Sequence, residues 1–261
     1  MKNKYQIVFI DIDWTILDHN INDWDYESLK AIKKIQNMGV QIVFVTARSY
    51  PSVRSTGLFK FITPNAIITN NGGLTFINDE ILYKNVYPEE ITKKVLEVAN
   101  KHQVVLQFAT LKDRYFTSEP NDYVRQYYAV YYEEWPLVKK DIVSDVSEIT
   151  AFIPSEYDDV LIKELPKEVM YNRYDSLGVN IGFYNNKKGD AIIKLLKHLN
   201  ISKENAIAIG DSEDDISMFN EVGFSVAMGN SKSDLVKEKA TIVTDTISNH
   251  GVASIIANLF F

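Results

Sequence analysis

Two aspartates one residue apart, Asp11 and Asp13, follow the apolar run Val8-Phe9-Ile10, and Thr15 comes just after. Such a run reads as a strand buried in a parallel sheet. Open α/β sheets collect ligands at the carboxyl ends of their strands. Two carboxylates there are costly unless a cation pairs them. The pair therefore points to metal-assisted chemistry, the alternative being a strand whose polar end reaches solvent. A second acidic group, Asp211, Asp214 and Asp215, follows the run 206–209. If the two strands are neighbours, these acids share one small volume. Like unit charges about 4 Å apart repel by roughly 4 kcal/mol at a protein-surface dielectric. Magnesium offsets such repulsion and favours a few carboxylates together with substrate phosphate oxygens. Asp214 and Asp215 also suit the positive N-terminus of the helix they open.

Three smaller clusters sit at the ends of other elements. Thr46 ends the run 40–45, followed by Ala47 and Arg48; a hydroxyl and successive N–H groups there can cradle a phosphate. Lys188 precedes Gly189 at a helix start, where a cation opposes the helix dipole and calls for an anionic partner. Lys187 is its rival for that role, and a solvated lysine is the plain alternative. Asn70-Asn71-Gly72-Gly73 is either an ordinary turn or a source of an amide for a substrate hydroxyl.

Composition narrows the chemistry. The chain has 261 residues, 46% of them hydrophobic, enough for a core plus an insertion. The net charge of -7, with no basic run, argues against nucleic acid as a partner. Cysteine is absent, which rules out thiolate catalysis and Cys-ligated zinc. The four histidines lack metal-ligand spacing, so any metal is held mainly by oxygen, as a hard cation would be. The N-terminus does not read as a signal peptide and no run is long enough to span a bilayer, so a cytoplasmic location without membrane contact is expected. The oligomeric state is not legible.

These clusters need a scaffold. Strands over 5–10, 40–45 and 66–69, with a helix capped by Asp25 and stopped at Gly39, predict a doubly wound parallel sheet. A hairpin follows over 75–85, turning at Asn78-Asp79. Helices over 88–101, 121–132 and 157–165 then mix with strands over 104–109, 115–118, 148–153 and 170–183. This is the pattern of an α+β sheet with helices on one face. The doubly wound pattern resumes with a helix over 189–199 that buries Ile192, Ile193, Leu195, Leu196 and Leu199, strands over 206–209, 225–227 and 241–243, and helices over 214–220 and 234–239. The expected fold class is α/β, a Rossmann-like core of residues 1–83 and 185–261 with an inserted α+β cap of residues 84–184.

In order, Asp11-Ile12-Asp13-Trp14-Thr15, Thr46, Lys188 and Gly210-Asp211-Ser212-Glu213-Asp214-Asp215 resemble the four motifs of the haloacid dehalogenase-like hydrolases. Thr69-Asn70-Asn71-Gly72-Gly73, Lys188-Gly189 and Ala227-Met228-Gly229-Asn230 resemble the Cof-type sugar-phosphatase branch, whose larger cap is of the C2 type. The resemblance covers the whole chain. It implies a magnesium-dependent phosphatase acting on small phosphorylated metabolites, sugar phosphates foremost. Asp11 would be the nucleophile and form an aspartyl-phosphate. Asp13 would be the general acid and then the base, kept protonated by crowding from its acidic neighbours. Thr46 and Lys188 would complete the catalytic set. Thr46, Ala47, Arg48, Asn71, Lys188 and Asp214 would bind phosphate and substrate. Asp11, Asp211 and the backbone carbonyl of Asp13 would hold Mg2+, with Asp214 and Asp215 acting through water or orienting Lys188. Two positions depart from the family pattern: Trp14 stands where glycine is frequent, and Asp214 where the Cof branch commonly has asparagine. A phosphomutase of the same superfamily and a non-catalytic phospho-acceptor are the competing readings.

Overall fold

The computed structural model describes residues 4–131, 135–141, 143–173, 176–183 and 186–261. It divides into two compact units, one of residues 1–48, 57–84 and 186–261, the other of residues 49–56 and 85–185. Residues 49–56, including the short helix Tyr50–Ser55, thus group with the inserted unit rather than with the core stretch that precedes them. Tyr132 and the expected boundary positions 184 and 185 lie outside the described residues.

The first unit is built on an eight-stranded sheet. Its middle strand, Ile7–Ile10, is wholly buried, as four consecutive large apolar side chains require. Strands Gln41–Val45 and Ala66–Thr69 follow on one side. Strands Ala206–Gly210, Phe224–Ala227 and Ile242–Val243 follow on the other, all parallel. The hairpin Leu74–Ile77 and Glu80–Lys84 closes one edge antiparallel, its turn made by Asn78 and Asp79, both at positive φ as a tight two-residue turn requires. The winding direction reverses between Ile7–Ile10 and Ala206–Gly210, where Ile10 pairs with Ile209. A reversal of this kind leaves a crevice at the strands' carboxyl ends.

Helices complete the layers. Asp25 caps Tyr26–Asn37 by accepting from the Ser28 amide, and Gly39 ends that turn at φ 91°. Lys188–Leu199 buries Ile192, Leu195 and Leu196 against the sheet, but Ile193 is 46% exposed. The reason is periodicity: at 100° per residue, a fifth apolar position in this helix falls outside the buried stripe. The 214–220 segment is a 3₁₀ turn, Glu213–Asp215, running into a short helix, Ile216–Phe219. A helix not among the elements expected from the sequence, Gly251–Phe260, packs against Tyr26–Asn37. No helix among the described residues is long and apolar enough to cross a membrane.

The second unit holds a six-stranded sheet whose central strands are Val105–Thr110, Val146–Phe152 and Gly178–Phe183, with Arg114–Phe116, Leu137–Val138 and Val169–Arg173 outward of them. Helices Glu89–Lys101 and Asp158–Glu164 pack on the face that presents Leu106, Phe108, Ile149 and Ala151. The expectation of helices on one face does not hold. The opposite face presents Val105, Phe116 and Phe152, and helix Asp122–Tyr131 covers it through Val124 and Tyr128. With large apolar residues alternating onto both faces, a single helical layer would leave one of them in water.

Candidate active site

The crevice collects the acids. Asp11 extends the middle strand, its amide donating to the carbonyl of Ile209 on the neighbouring strand at 2.9 Å. Asp211 directly follows that neighbour, so strand pairing alone brings residues 200 positions apart together. Lys188 and Asp215 fill the volume between them. The Lys188 ammonium donates to Asp11 Oδ1 at 2.7 Å and to Asp215 Oδ1 at 2.6 Å. All three side chains are almost fully buried. Asp215 is fixed further, its Oδ2 accepting from the amides of Asp211 and Ser212, both at 2.9 Å, and from the Ser212 hydroxyl. Thr15 donates weakly toward both Asp11 Oδ2 (3.3 Å) and Asp211 Oδ1 (3.4 Å).

Two glycines permit this packing. A Cβ on Gly210 would collide with the Asp215 carboxylate, and a Cβ on Gly189 with the backbone of Ser217. The first lets the acid fold back under the strand end. The second lets the lysine helix approach closely enough for Lys188 to reach it. Of the two rival lysines, Lys187 is exposed and Lys188 is buried among the acids.

Charge does not balance in this volume. One ammonium faces Asp11, Asp211 and Asp215. Burial, with the surrounding carboxylates adding to it and Lys188 working against it, pushes Asp11 well above the usual carboxylate range. Burial and then the Asp215 charge push Asp211 up to about 7. Burial would by itself discharge Lys188, but the charges of Asp11 and Asp215 outweigh it and hold the ammonium protonated. Carboxylate oxygens of Asp11, Asp211 and Asp215 all lie within 4.8 Å of one another. An all-oxygen donor set carrying surplus negative charge fits a hard divalent cation. Asp215, expected from the sequence among the crowded acids and as a partner for Lys188 or for water but not as a direct metal ligand, is the third member of this group. The sequence placed it beside Asp211 but could not show which of Asp214 and Asp215 turns inward.

Asp13 behaves differently from its expected description. Burial would raise it, but hydrogen bonds from His19 and Arg48, with their charges, hold it well below the ordinary carboxylate range. Arg48 grips it through Nε to Oδ2 at 2.8 Å and a terminal nitrogen to Oδ1 at 2.7 Å, and His19 Nε2 lies 2.6 Å from Oδ1. Asp13 thus sits against two basic side chains, both of which favour its charged form, rather than against the acids expected to crowd it. His19, the residue that reasoning from the chain passed over, was visible only as a lone histidine six positions downstream.

The remaining expected residues line the same strand ends. Thr46 is buried, its hydroxyl accepting from the Arg48 amide at 3.1 Å across Ala47. Asn70 and Asn71 both take positive φ, bending the chain after Ala66–Thr69 so that the Asn71 amide donates to the Thr46 carbonyl at 3.1 Å. The Asn71 side chain donates to Asp214 Oδ2 at 3.3 Å, so Asp214 meets the asparagine loop, whereas Lys188 meets Asp215. Trp14 adopts φ 60°, which explains why glycine suits this position and marks the indole as held there against its preference.

A doubly wound sheet whose switch point carries an Asp–x–Asp pair, a threonine, a buried lysine and a Gly-Asp turn defines a class. The family model described as haloacid dehalogenase-like hydrolase matches residues 8–256, and the chain belongs to that family. With its relatives it is a hydrolase of the phosphatase type. It is 27% identical to 5-amino-6-(5-phospho-D-ribitylamino)uracil phosphatase YcsE of Bacillus subtilis, over 96% of this chain and 94% of that protein. Among solved structures it is similar to a hypothetical protein of Geobacillus kaustophilus, with a TM-score of 0.90, 23% identity and 98% of each chain covered. It also resembles the subclass IIB sugar phosphatase BT4131, with a TM-score of 0.76, 23% identity, and 97% of this chain and 98% of that one covered.

Proposed function

We propose that the chain hydrolyses small phosphomonoesters, sugar phosphates foremost, by way of a phosphoryl-aspartate at Asp11. The observation that carries this reading is the Lys188 bridge: one ammonium fixes Asp11 Oδ1 and, among the described residues, leaves Oδ2 with only a long contact from Thr15. Oδ2 is the free nucleophilic oxygen. It forms the bond to phosphorus as the bond from phosphorus to the leaving oxygen breaks, and that oxygen takes a proton from Asp13. In the second half, water attacks the phosphoryl group, Asp13 accepts the water's proton, and the phosphorus–aspartate bond breaks to release inorganic phosphate and Asp11.

The proton that Asp13 gives in the first half it recovers from water in the second, and His19 and Arg48 hold its carboxylate in place for both transfers. Lys188, the Thr46 hydroxyl and the amides of Ala47 and Arg48 are the donors for phosphoryl oxygens. Asp11, Asp211 and the carbonyl of Asp13 would hold Mg2+, which when bound neutralises phosphoryl charge and fixes the line of attack. Asp215 orients Lys188. The cysteine-free composition suits a reducing cytoplasmic setting. The test is phosphate release from p-nitrophenyl phosphate with Mg2+ and with EDTA. Turnover that needs the metal is the expected result; equal rates in both would count against the mechanism.

A further inference from the structure

The mouth of the site on the core unit contains a cation that the proposed chemistry does not use. The Lys232 ammonium lies 5.7 Å from the centre of the Trp14 indole, and Lys232 is exposed. The other cations here are engaged: Lys188 by Asp11 and Asp215, and both Arg48 and His19 by Asp13. Among the described residues no carboxylate forms an ion pair with Lys232.

The platform beneath it is built. Asn230 donates from Nδ2 to the Trp14 carbonyl at 2.8 Å, while its Oδ1 accepts from the Ile247 amide at 2.8 Å. This double link holds the 228–232 loop against the turn after Asp13. It also secures Trp14 in the left-handed conformation that the side chain disfavours. The indole stands 5.1 Å from the His19 ring, and His19 touches Asp13. Asp13, His19, the indole and the ammonium thus follow one another in contact, so on the phosphatase reading the indole and the ammonium stand on the His19 side of the group that meets the ester oxygen.

We infer that Trp14 and Lys232 form a leaving-group subsite for a second negative charge, so that the favoured esters carry a carboxylate or another phosphate near the one removed. This rests on the phosphatase reading above. An unpaired ammonium on a chain of net charge -7 gives such a substrate a local attraction that the rest of the surface lacks. Trp14 acts as a positioning residue, its face steadying the lysine by cation–π attraction.

The test compares kcat/KM of wild type, Lys232→Met and Trp14→Gly on three esters. 2-Phosphoglycolate carries a carboxylate, fructose 1,6-bisphosphate a second phosphate, and glycerol 2-phosphate no second charge. Lys232→Met is expected to lose about tenfold on a charged ester, mostly in KM, the scale of one partly screened charge contact. Glycerol 2-phosphate is expected to change less than about twofold, since only the charge contact is removed. Trp14→Gly, at a φ that glycine accepts, is expected to shift the preference the same way by a smaller factor. Added salt should erode the wild-type preference. Loss on the carboxylate arm alone or the phosphate arm alone would identify which anion is read. Equal loss on all three esters, or no loss on any, would overturn the subsite. A wild type inert toward every ester would sink the parent reading as well, whereas activity without preference sinks only this one.

Discussion

Two charge clusters, one in each unit, are made of similar parts and do opposite things. In the inserted unit, Arg173 donates through Nε to Asp158 Oδ2 at 2.8 Å, pairs again with Oδ1, and gives two further N–H groups to the carbonyls of Ile153 and Ser176. The Tyr171 hydroxyl also donates to Asp158. The Arg173 hydrogen bond holds Asp158 below its ordinary range, so the carboxylate is content as an anion. In the core unit, one lysine is shared among three acids, and Asp11 and Asp211 are driven upward. The saturated knot ties a helix to a sheet. The unsaturated one carries surplus negative charge, which a proton or a cation would relieve. A buried charge cluster thus signals function through what it leaves unpaired, and ion pairing as such does not distinguish the two.

This contrast is open to measurement, with the largest effect at the nucleophile. Asp11→Asn should abolish turnover, by about 10⁴-fold or more in kcat, while the fold persists. Retention of most activity would remove Asp11 from its role. Lys188→Met should lower kcat by about 10³-fold and stability by roughly 3 kcal/mol, because it strands buried Asp215 beside Asp11. Denaturant melts and single-turnover rates read the two losses separately. Arg173→Met should cost about 2 kcal/mol of stability, with kcat on a small ester such as p-nitrophenyl phosphate nearly unchanged. A large fall in kcat there would erase the distinction between the clusters.

The smallest effect is in pH. Asp211 is raised to about 7, so between its ordinary value and 7 the folded protein binds a proton that the unfolded chain does not. That group's contribution to stability is present at low pH and is lost as pH rises through 7. If Mg2+ binds at Asp211 as proposed, it would have to displace that proton below pH 7 and not above it. The thermal shift produced by Mg2+ should therefore be larger at pH 8 than at pH 6. An equal shift at both would place the ion away from Asp211.

The sheet and the acid pair were legible because each leaves a local trace: a continuous apolar run, a polar end, a glycine that stops a helix. Asp11, Thr46, Lys188 and Asp211 all stand at strand or helix ends, as their spacing required. Longer-range facts were not legible. Nothing in the local pattern shows that Arg48, 35 positions away, grips Asp13, or that Asp215 rather than Asp214 turns under Gly210. The second helical layer on the inserted sheet escaped because period-two alternation says which residues share a face, not whether both faces are covered. Ile193 illustrates the remaining error, an apolar residue counted inside a stripe one position too wide.

The position of the first strand has a consequence for biosynthesis. Ile7–Ile10 lies between Gln41–Val45, made soon after it, and Ala206–Gly210, made only after the inserted unit. A nascent chain halted before Ala206 has the amino-terminal strand zipped along one flank and bare along the other, with the intervening unit already emerged. The long loop must close before that bare flank is covered, which makes the last pairing the slow one and leaves a sticky apolar edge in the interim. Catalytic competence should consequently arrive late and all at once, and fragments ending anywhere in the insertion should aggregate instead of retaining partial activity.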